Sequence, residues 1–505
     1  MALYVGLDVG TTTLSAVVLD ADTGGLLARN TVGHAAYVPS GKAGRLERVE
    51  LDLEKLRGLI VQVLAETVAA MSTRREEVHG LGVTGQMHGL ALLNPDTTPL
   101  RPAITWQDRR VEERLPGEEE TYLQRFISLS GGPSAFERMG CLPAAGYLGP
   151  TLFWLRLHDQ LPPWPAQVCF IPDAAVAFLT GGTPCTDPTN GGSSGMFDIV
   201  SPGWHWPVIE RLGLPREIFP QVRESGAQAG ELLPAAAAKT GLRAGTPVFV
   251  ALGDNQASFL GSVREPRDSL LINVGTGGQI SVLLDTFQRL PGLDTRYFPG
   301  GRYLVVGAGS FGGRTYRYLR DFFRQVGVAF FGGSGDEELY EKMTRLAAAV
   351  PPGSDGLDCC PVFTGTRIDS SARGRFSGIS PQNLTPGHLG RALLEGLAKG
   401  FLSLYNQMRP LVGERAYMVG AGNGLRRNCL LAETLARTFG VPLHITAQEE
   451  EAAMGAALLA AVGSGGLETW DAAGKLVRYA EAFAPGNKND SDETSMTAPV
   501  LGQGL

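Results

Sequence analysis

The sequence predicts an α/β fold built as two similar domains with a cleft between them, and three observations carry that prediction. YVGLDVGTTTLSAVVLD, Tyr4 to Asp20, sets Gly-Thr-Thr-Thr between two apolar runs. Glycine and three β-branched threonines oppose a helix centre, so the stretch reads as strand, tight turn and returning strand. SLLINVGTGGQISVLL, Ser269 to Leu284, repeats this architecture around Gly-Thr-Gly-Gly. Finally, 505 residues exceed what one hydrophobic core usually supports. A repeated hairpin in a chain of this length predicts a repeated domain, with divisions at 1–255, 256–465 and an extension at 466–505.

In chain order, LEKLRGLIVQVLAETVAAM, Leu53 to Met71, shows apolar residues at helical spacing and leads into the short apolar strand VHGLGVTG. GTPVFVALGD is read as a buried strand. AYMVGAGNGLRRNCLLAETLARTFGVPL reads strand, Gly-rich turn, helix. The last regular helix is expected at Glu449 to Gly463, and the polar run GNKNDSDETS is expected to be disordered.

Composition bounds the function. At 43% hydrophobic and 19% charged residues the chain resembles an average globular enzyme, and a net charge of -7 argues against a nucleic-acid partner. No apolar run reaches membrane-spanning length and no basic region precedes an apolar one at the N-terminus, so a cytoplasmic protein without membrane partners is expected. Six cysteines without a CxxC fit reduced thiols.

Several motifs compete for the chemistry. Two Gly-Thr turns from the two halves suit a polyphosphate held from both sides, since turn amides and hydroxyls make concave anion sites; each alone also reads as an ordinary hairpin turn. No GxxxxGK[ST] occurs. Gly307, Gly309 and Gly312 satisfy GxGxxG, but no strand ending in an acid follows at the distance a dinucleotide fold requires. Gly191, Ser193 and Gly195 formally match GxSxG, yet MFDIVSPGWHWP follows without the helix a nucleophile elbow needs, so a loop is expected. The seven histidines show no metal-ligand spacing.

GQMHGLALL places Gln86, Met87 and His88 just past a strand end, where His88 either caps a turn or meets a ligand. ITWQDRR groups Trp106, Gln107 and Asp108 beside Arg109 and Arg110; a ring beside an amide and an acid is the usual equipment of a sugar site, and a solvated loop is its plainer reading. Asp254, after a buried strand and at a helix start, is an N-cap in the plain reading. In the functional one it accepts a hydroxyl proton during phosphoryl transfer, kept ionised by the helix N-terminus. Gly420, Gly422 and Gly424 open a turn that lets the backbone approach a flat ligand.

With Asp8 to Thr13, GQMHG, WQDRR, GDNQAS, NVGTGG and GAGNG in this order, residues 3 to 465 resemble the FGGY family of carbohydrate kinases. The resemblance implies two actin-like, ribonuclease-H-like ATPase domains with ATP and a small-molecule sugar in the cleft between them. It implies that Gly10, Thr11, Thr12 and Thr13 hold the transferring end of ATP and that Asp8 positions Mg²⁺ through water. Gly275, Thr276 and Gly277 become the second phosphate turn, with Gly312 also at the nucleotide. Gly420, Ala421, Gly422 and Asn423 would line the adenosine pocket. Gln86, Met87, His88, Trp106, Gln107, Asp108 and Asn255 would meet the sugar, with Asp254 as catalytic base. GQMHG is shared by members acting on D-xylulose and on sedoheptulose, while TWQDRR and GDNQAS look closer to the latter. The implied acceptor is therefore a ketose, sedoheptulose ahead of D-xylulose, and the implied assembly a monomer or homodimer. A nucleotide-binding regulator of the same fold is the alternative that performs no chemistry.

Overall fold

The computed structural model describes residues 2–38, 46–71, 76–309, 311–333, 338–365 and 371–485. The expected disordered run from 486 lies outside them.

Both hairpins form. β1 (Leu3–Val9) and β2 (Thr13–Asp20) pair antiparallel with Asp8 opposite Ser15, and β3 (Gly25–Gly33) continues the sheet antiparallel to β2. Helix α1 (Leu53–Ala69) starts at Asp52, whose carboxylate accepts from the Glu54 and Lys55 amides, and buries Leu56, Ile60, Val63 and Leu64 at helical spacing. It returns the chain to β4 (Val78–Gly85), parallel to β1. β5 (Gln228–Glu231) and β6 (Pro247–Phe249) complete the sheet in the order β5-β6-β4-β1-β2-β3. The predicted single buried strand is broken in two, the short β7 (Leu252–Gly253) pairing again with β4.

Helix α2 (Asp254–Ser262) leads into a second sheet. Its strands are β8 (Ser269–Val274), β9 (Gly278–Leu284), β10 (Asp294–Phe298) and β11 (Arg302–Gly309), followed by the helices α3 (Gly313–Phe331), α4 (Leu339–Ala348) and α5 (Pro386–Val412). β12 (Tyr417–Ala421), helix α6 (Cys429–Phe439), β13 (Leu443–Thr446), helix α7 (Glu451–Gly463) and β14 (Tyr479–Phe483) close the fold.

The order β10-β11-β9-β8-β12-β13-β14 repeats the first sheet: β11-β9-β8 are antiparallel like β3-β2-β1, and β12 and β13 are parallel to β8 as β4 and β6 are to β1. Two such sheets are the ribonuclease-H-like, actin-like arrangement. Because β11 is antiparallel to both neighbours, the GxGxxG that begins in its last residues, at Gly307, opens no parallel βαβ unit and is no dinucleotide fingerprint.

α7, from the far end of the chain, packs across the first sheet and α2. A Cβ on Gly6 of β1 would lie 1.9 Å from the Ala453 carbonyl oxygen, and one on Gly82 of β4 1.8 Å from that of Ala456. Backbone thus meets backbone where the two halves join. The chain does not end its regular structure at α7, as the sequence suggests: a short helix, Trp470–Gly474, and β14 follow. β14 is a largely exposed edge strand, and its sequence YAEAF carries no long apolar run to announce it. Among the described residues no helix is long and apolar enough to cross a membrane, and all six cysteines are free thiols.

Candidate active site

A cavity of about 1400 Å³ lies between the sheets, and both hairpin turns reach it. Asp8, Gly10, Thr11, Thr12 and Thr13 come from the β1–β2 turn; Val274, Gly275 and Thr276 come from the β8–β9 turn. The second turn is a platform for α3: the Gly313 amide donates to the Gly275 carbonyl and the Arg314 amide to that of Thr276, both at 3.0 Å. Gly312 is demanded by this contact, since a Cβ there would stand 2.4 Å from the Gly277 carbonyl carbon.

At the floor, Asp254 opens α2 and also lines the cavity. Burial pushes its carboxyl up to about 6, against the pull of Arg296 and the Asn255 N–H. The helix N-terminus therefore does not hold the acid at its ordinary value, as the sequence suggests; the group is poised near neutrality, the range that suits a general base. Asp8 is pushed well above the ordinary carboxylate range by burial, with Asp254 and Glu450 adding repulsion, and its Oδ1 is buried without a partner. Among the described residues no three His, Cys, Asp or Glu side chains are placed to cage an ion. An orphaned carboxylate oxygen without a cage fits a magnesium ion that keeps several waters and arrives on phosphates.

The sugar-side candidates gather beside the first turn. Trp106 is 42% exposed and its Nε1 donates to Thr11 Oγ1 at 3.0 Å. His88 has φ +75°, a left-handed backbone that a histidine adopts at a cost. Its amide donates to Ser193 Oγ at 3.2 Å and its Nδ1 lies 3.1 Å from the Ser193 carbonyl. A carbonyl only accepts, so Nδ1 carries a proton. The ring stacks on Tyr147 at 4.2 Å. Asn255 Nδ2 donates to Gln279 Oε1 at 3.0 Å, leaving Asn255 Oδ1 buried and unpaired.

Not every candidate reaches the cavity, and the sugar contact expected of Asp108 is corrected. Asp108 is 1% exposed, accepts the Val49 amide at 2.9 Å and binds Arg110 at 2.8 Å. A carboxylate so committed braces the loop. Gln107 accepts weakly from the Tyr37 hydroxyl at 3.5 Å and stands outside the lining, as does Gln86, whose Nε2 reaches only the Gly10 carbonyl at 3.4 Å. Gly277, exposed on its turn, and the buried Gly420 and Ala421 also stand outside the lining, whereas Met87, Gly312, Gly422 and Asn423 belong to it. The glycines of GAGNG also have a packing reason: Cβ atoms on Gly422 and Gly424 would meet Val274 O at 2.7 and 2.6 Å. They make room for the end of β8, which leads into the second Gly-Thr turn.

Sequence reasoning missed the lining residues Arg296, Tyr147, Gln279 and Ser258, and with them Arg314, Arg317, Arg345 and Arg427. Arg296 sits on β10, in a segment with no motif, and only the register of β10 on β11 brings it to Asp254. If Asp254 is the base, activity falls on acidification with a midpoint near pH 6, because protonation removes the acceptor. A kcat/KM profile between pH 4.5 and 8 checks this; a flat profile through that range contradicts it.

Two sheets of one topology, each sending a turn into the same cleft, define an actin-like ATPase fold equipped for phosphoryl transfer. The model of the FGGY family of carbohydrate kinases, N-terminal domain, matches residues 3–261, and that of the C-terminal domain matches 270–464. The chain belongs to the FGGY family of carbohydrate kinases and is an ATP-dependent sugar kinase acting on a small molecule. It is 26% identical to xylulose kinase of Bacillus subtilis (strain 168), over 97% of this chain and 94% of that protein. It is 29% identical to sedoheptulokinase of Homo sapiens, over 90% of this chain and 97% of that protein. The crystal structure of xylulose kinase from Rhodospirillum rubrum superposes with a TM-score of 0.82 at 25% identity, covering 97% of this chain and 95% of that one.

Proposed function

We propose that the chain transfers the γ-phosphoryl group of ATP to a terminal hydroxyl of a ketose, with sedoheptulose ahead of D-xylulose. The observation that carries the reading is Asp254, a carboxylate held near neutrality at a helix N-terminus in a cavity that both Gly-Thr turns and His88 line. Asp254 takes the proton of the acceptor hydroxyl while that oxygen forms its bond to the γ-phosphorus and ADP leaves. The turn amides and hydroxyls of Gly10 to Thr13 and of Gly275 and Thr276 hold the phosphates from opposite walls. Mg²⁺, held on Asp8 through water, would neutralise charge on those phosphates. His88, Asn255 Oδ1 and the Trp106 ring offer the sugar an imidazole, an acceptor and an apolar face. A cytoplasmic site of action and a monomeric or homodimeric state accompany this reading.

Sedoheptulose is favoured by TWQDRR and GDNQAS and by the likeness to sedoheptulokinases; D-xylulose is the second reading because xylulose kinases match at a similar level. With Gln107 and Asp108 turned away, the reach beyond the first carbons falls to Trp106, Arg109 and Tyr147. Each buried partner that a shorter sugar leaves unpaired costs about 1 to 3 kcal/mol, a tenfold or larger preference. ADP release across ketoses, polyols and aldoses is expected to give sedoheptulose the highest kcat/KM. A higher value for D-xylulose assigns the pentulose, and no turnover with any sugar favours a non-catalytic nucleotide binder.

A further inference from the structure

We infer that the buried segment from Asp187 to Ser194 is a positioning strut that fixes Asp254 and His88 in one frame; the inference rests on reading Asp254 as the base. This is the stretch whose glycines and Ser193 mimic a hydrolase elbow. In the fold it is a short helix, Pro188–Gly191, and the turn after it, with Thr189, Asn190, Ser193 and Ser194 all buried.

Its hydrogen bonds run to the two places where the site's geometry is set. The Thr189 hydroxyl donates to Asp187 Oδ1 at 2.6 Å and accepts the Gly253 amide at 2.8 Å, so both its roles are spent. Gly253 is the residue before Asp254. Asn190 Nδ2 donates to the Ala251 carbonyl at 2.9 Å, and from the other side the Thr84 hydroxyl donates to the Leu252 carbonyl at 2.7 Å. Three successive residues leading to Asp254 are thus each held by a side chain. Asp187 itself is anchored by the Ser225 hydroxyl at 2.5 Å and the Asn190 amide at 2.9 Å.

Four residues beyond Thr189, Ser193 accepts the His88 amide and ring N–H through its hydroxyl and carbonyl, holding the left-handed backbone of His88. The segment cannot slide: Cβ atoms on Gly191 and Gly192 would lie 2.6 Å from the Phe197 ring and 2.7 Å from Ile199. One rigid piece therefore sets the base and the sugar-side histidine, and neither Thr189 nor Ser193 lines the cavity.

The test uses the full chain and its best ketose from the panel. Thr189→Val keeps the shape and removes the hydroxyl; kcat is expected to fall about 10- to 100-fold, with the KM for ATP within about twofold of wild type. Thr189→Ser is expected to restore most of the turnover. Ser193→Ala is expected to raise the sugar KM more than it lowers kcat. A folded Thr189→Val with kcat within about threefold of wild type overturns the inference, as does a Thr189→Ser no better than Thr189→Val. Should Thr189→Val not fold, Ser193→Ala decides, an unchanged sugar KM overturning the strut. Asp254→Ala separates the two readings: if it stays active the base assignment fails, and if it is dead while Thr189→Val is normal only the strut fails.

Discussion

Asp254→Ala is expected to fold, to bind ATP and to lose sugar phosphorylation by about a thousandfold, the scale of general-base catalysis combined with lost alignment of the acceptor. Retained folding follows from the sign of the pKa shift. A carboxyl raised from 3.8 to about 6 makes the native state bind the proton more tightly than the unfolded chain. Stability therefore falls as pH rises from about 4 to 6, and the cost is complete above 6. It is at most about 3 kcal/mol, because Asp254 is partly open to the cleft. Alanine removes that cost, so the variant is expected to melt no lower than wild type at pH 7.5 and equally at pH 4. Turnover within about tenfold of wild type would remove Asp254 from the chemistry. A lower melting temperature at pH 7.5 would show that the carboxylate is instead a net stabilising group.

Gly82→Ala is expected to destabilise the protein by about 3 kcal/mol or more, a large effect for a single methyl group. The new Cβ would stand 1.8 Å from the Ala456 carbonyl oxygen and 2.6 Å from its carbon. Neither atom belongs to a flexible side chain, so α7 must lift from the first sheet. That helix buries Ala453, Met454, Ala457 and Leu458 between the halves, and Glu450, next to its first residue, faces Asp8. Stability and activity should fall together. Gly58→Ala is the matched control: it lies inside α1 with nothing within 4 Å of its added Cβ, and the substitution is expected to stabilise by about 0.5 to 1 kcal/mol. Equal denaturation midpoints for Gly82→Ala and wild type would mean that the two backbones are not in contact in solution.

Local pattern made much of this protein legible. Both hairpins, α1 and the strand-turn-helix from Tyr417 lie where alternating or helical hydrophobic spacing and turn residues put them. Asp254 could be singled out because a buried strand ending in an acid at a helix start is itself a local signal. The edge strand β14 and the break between β6 and β7 escaped, being short and without periodicity.

The sequence by itself determined the repeated α/β architecture and two Gly-Thr turns, one from each half, because each feature is written in contiguous residues. Tertiary structure alone decided which polar side chains face that cleft. Asp108 and Trp106 stand two residues apart, yet Arg110 and the Val49 amide turn one carboxylate inward while the ring lines the cavity. Arg296 and Asp254 meet only through strand register, and Ser193 meets His88 across more than a hundred residues of chain. Ion pairs and hydrogen bonds depend on distance in space and leave no period in the chain, so their geometry is settled only when the sheets pack.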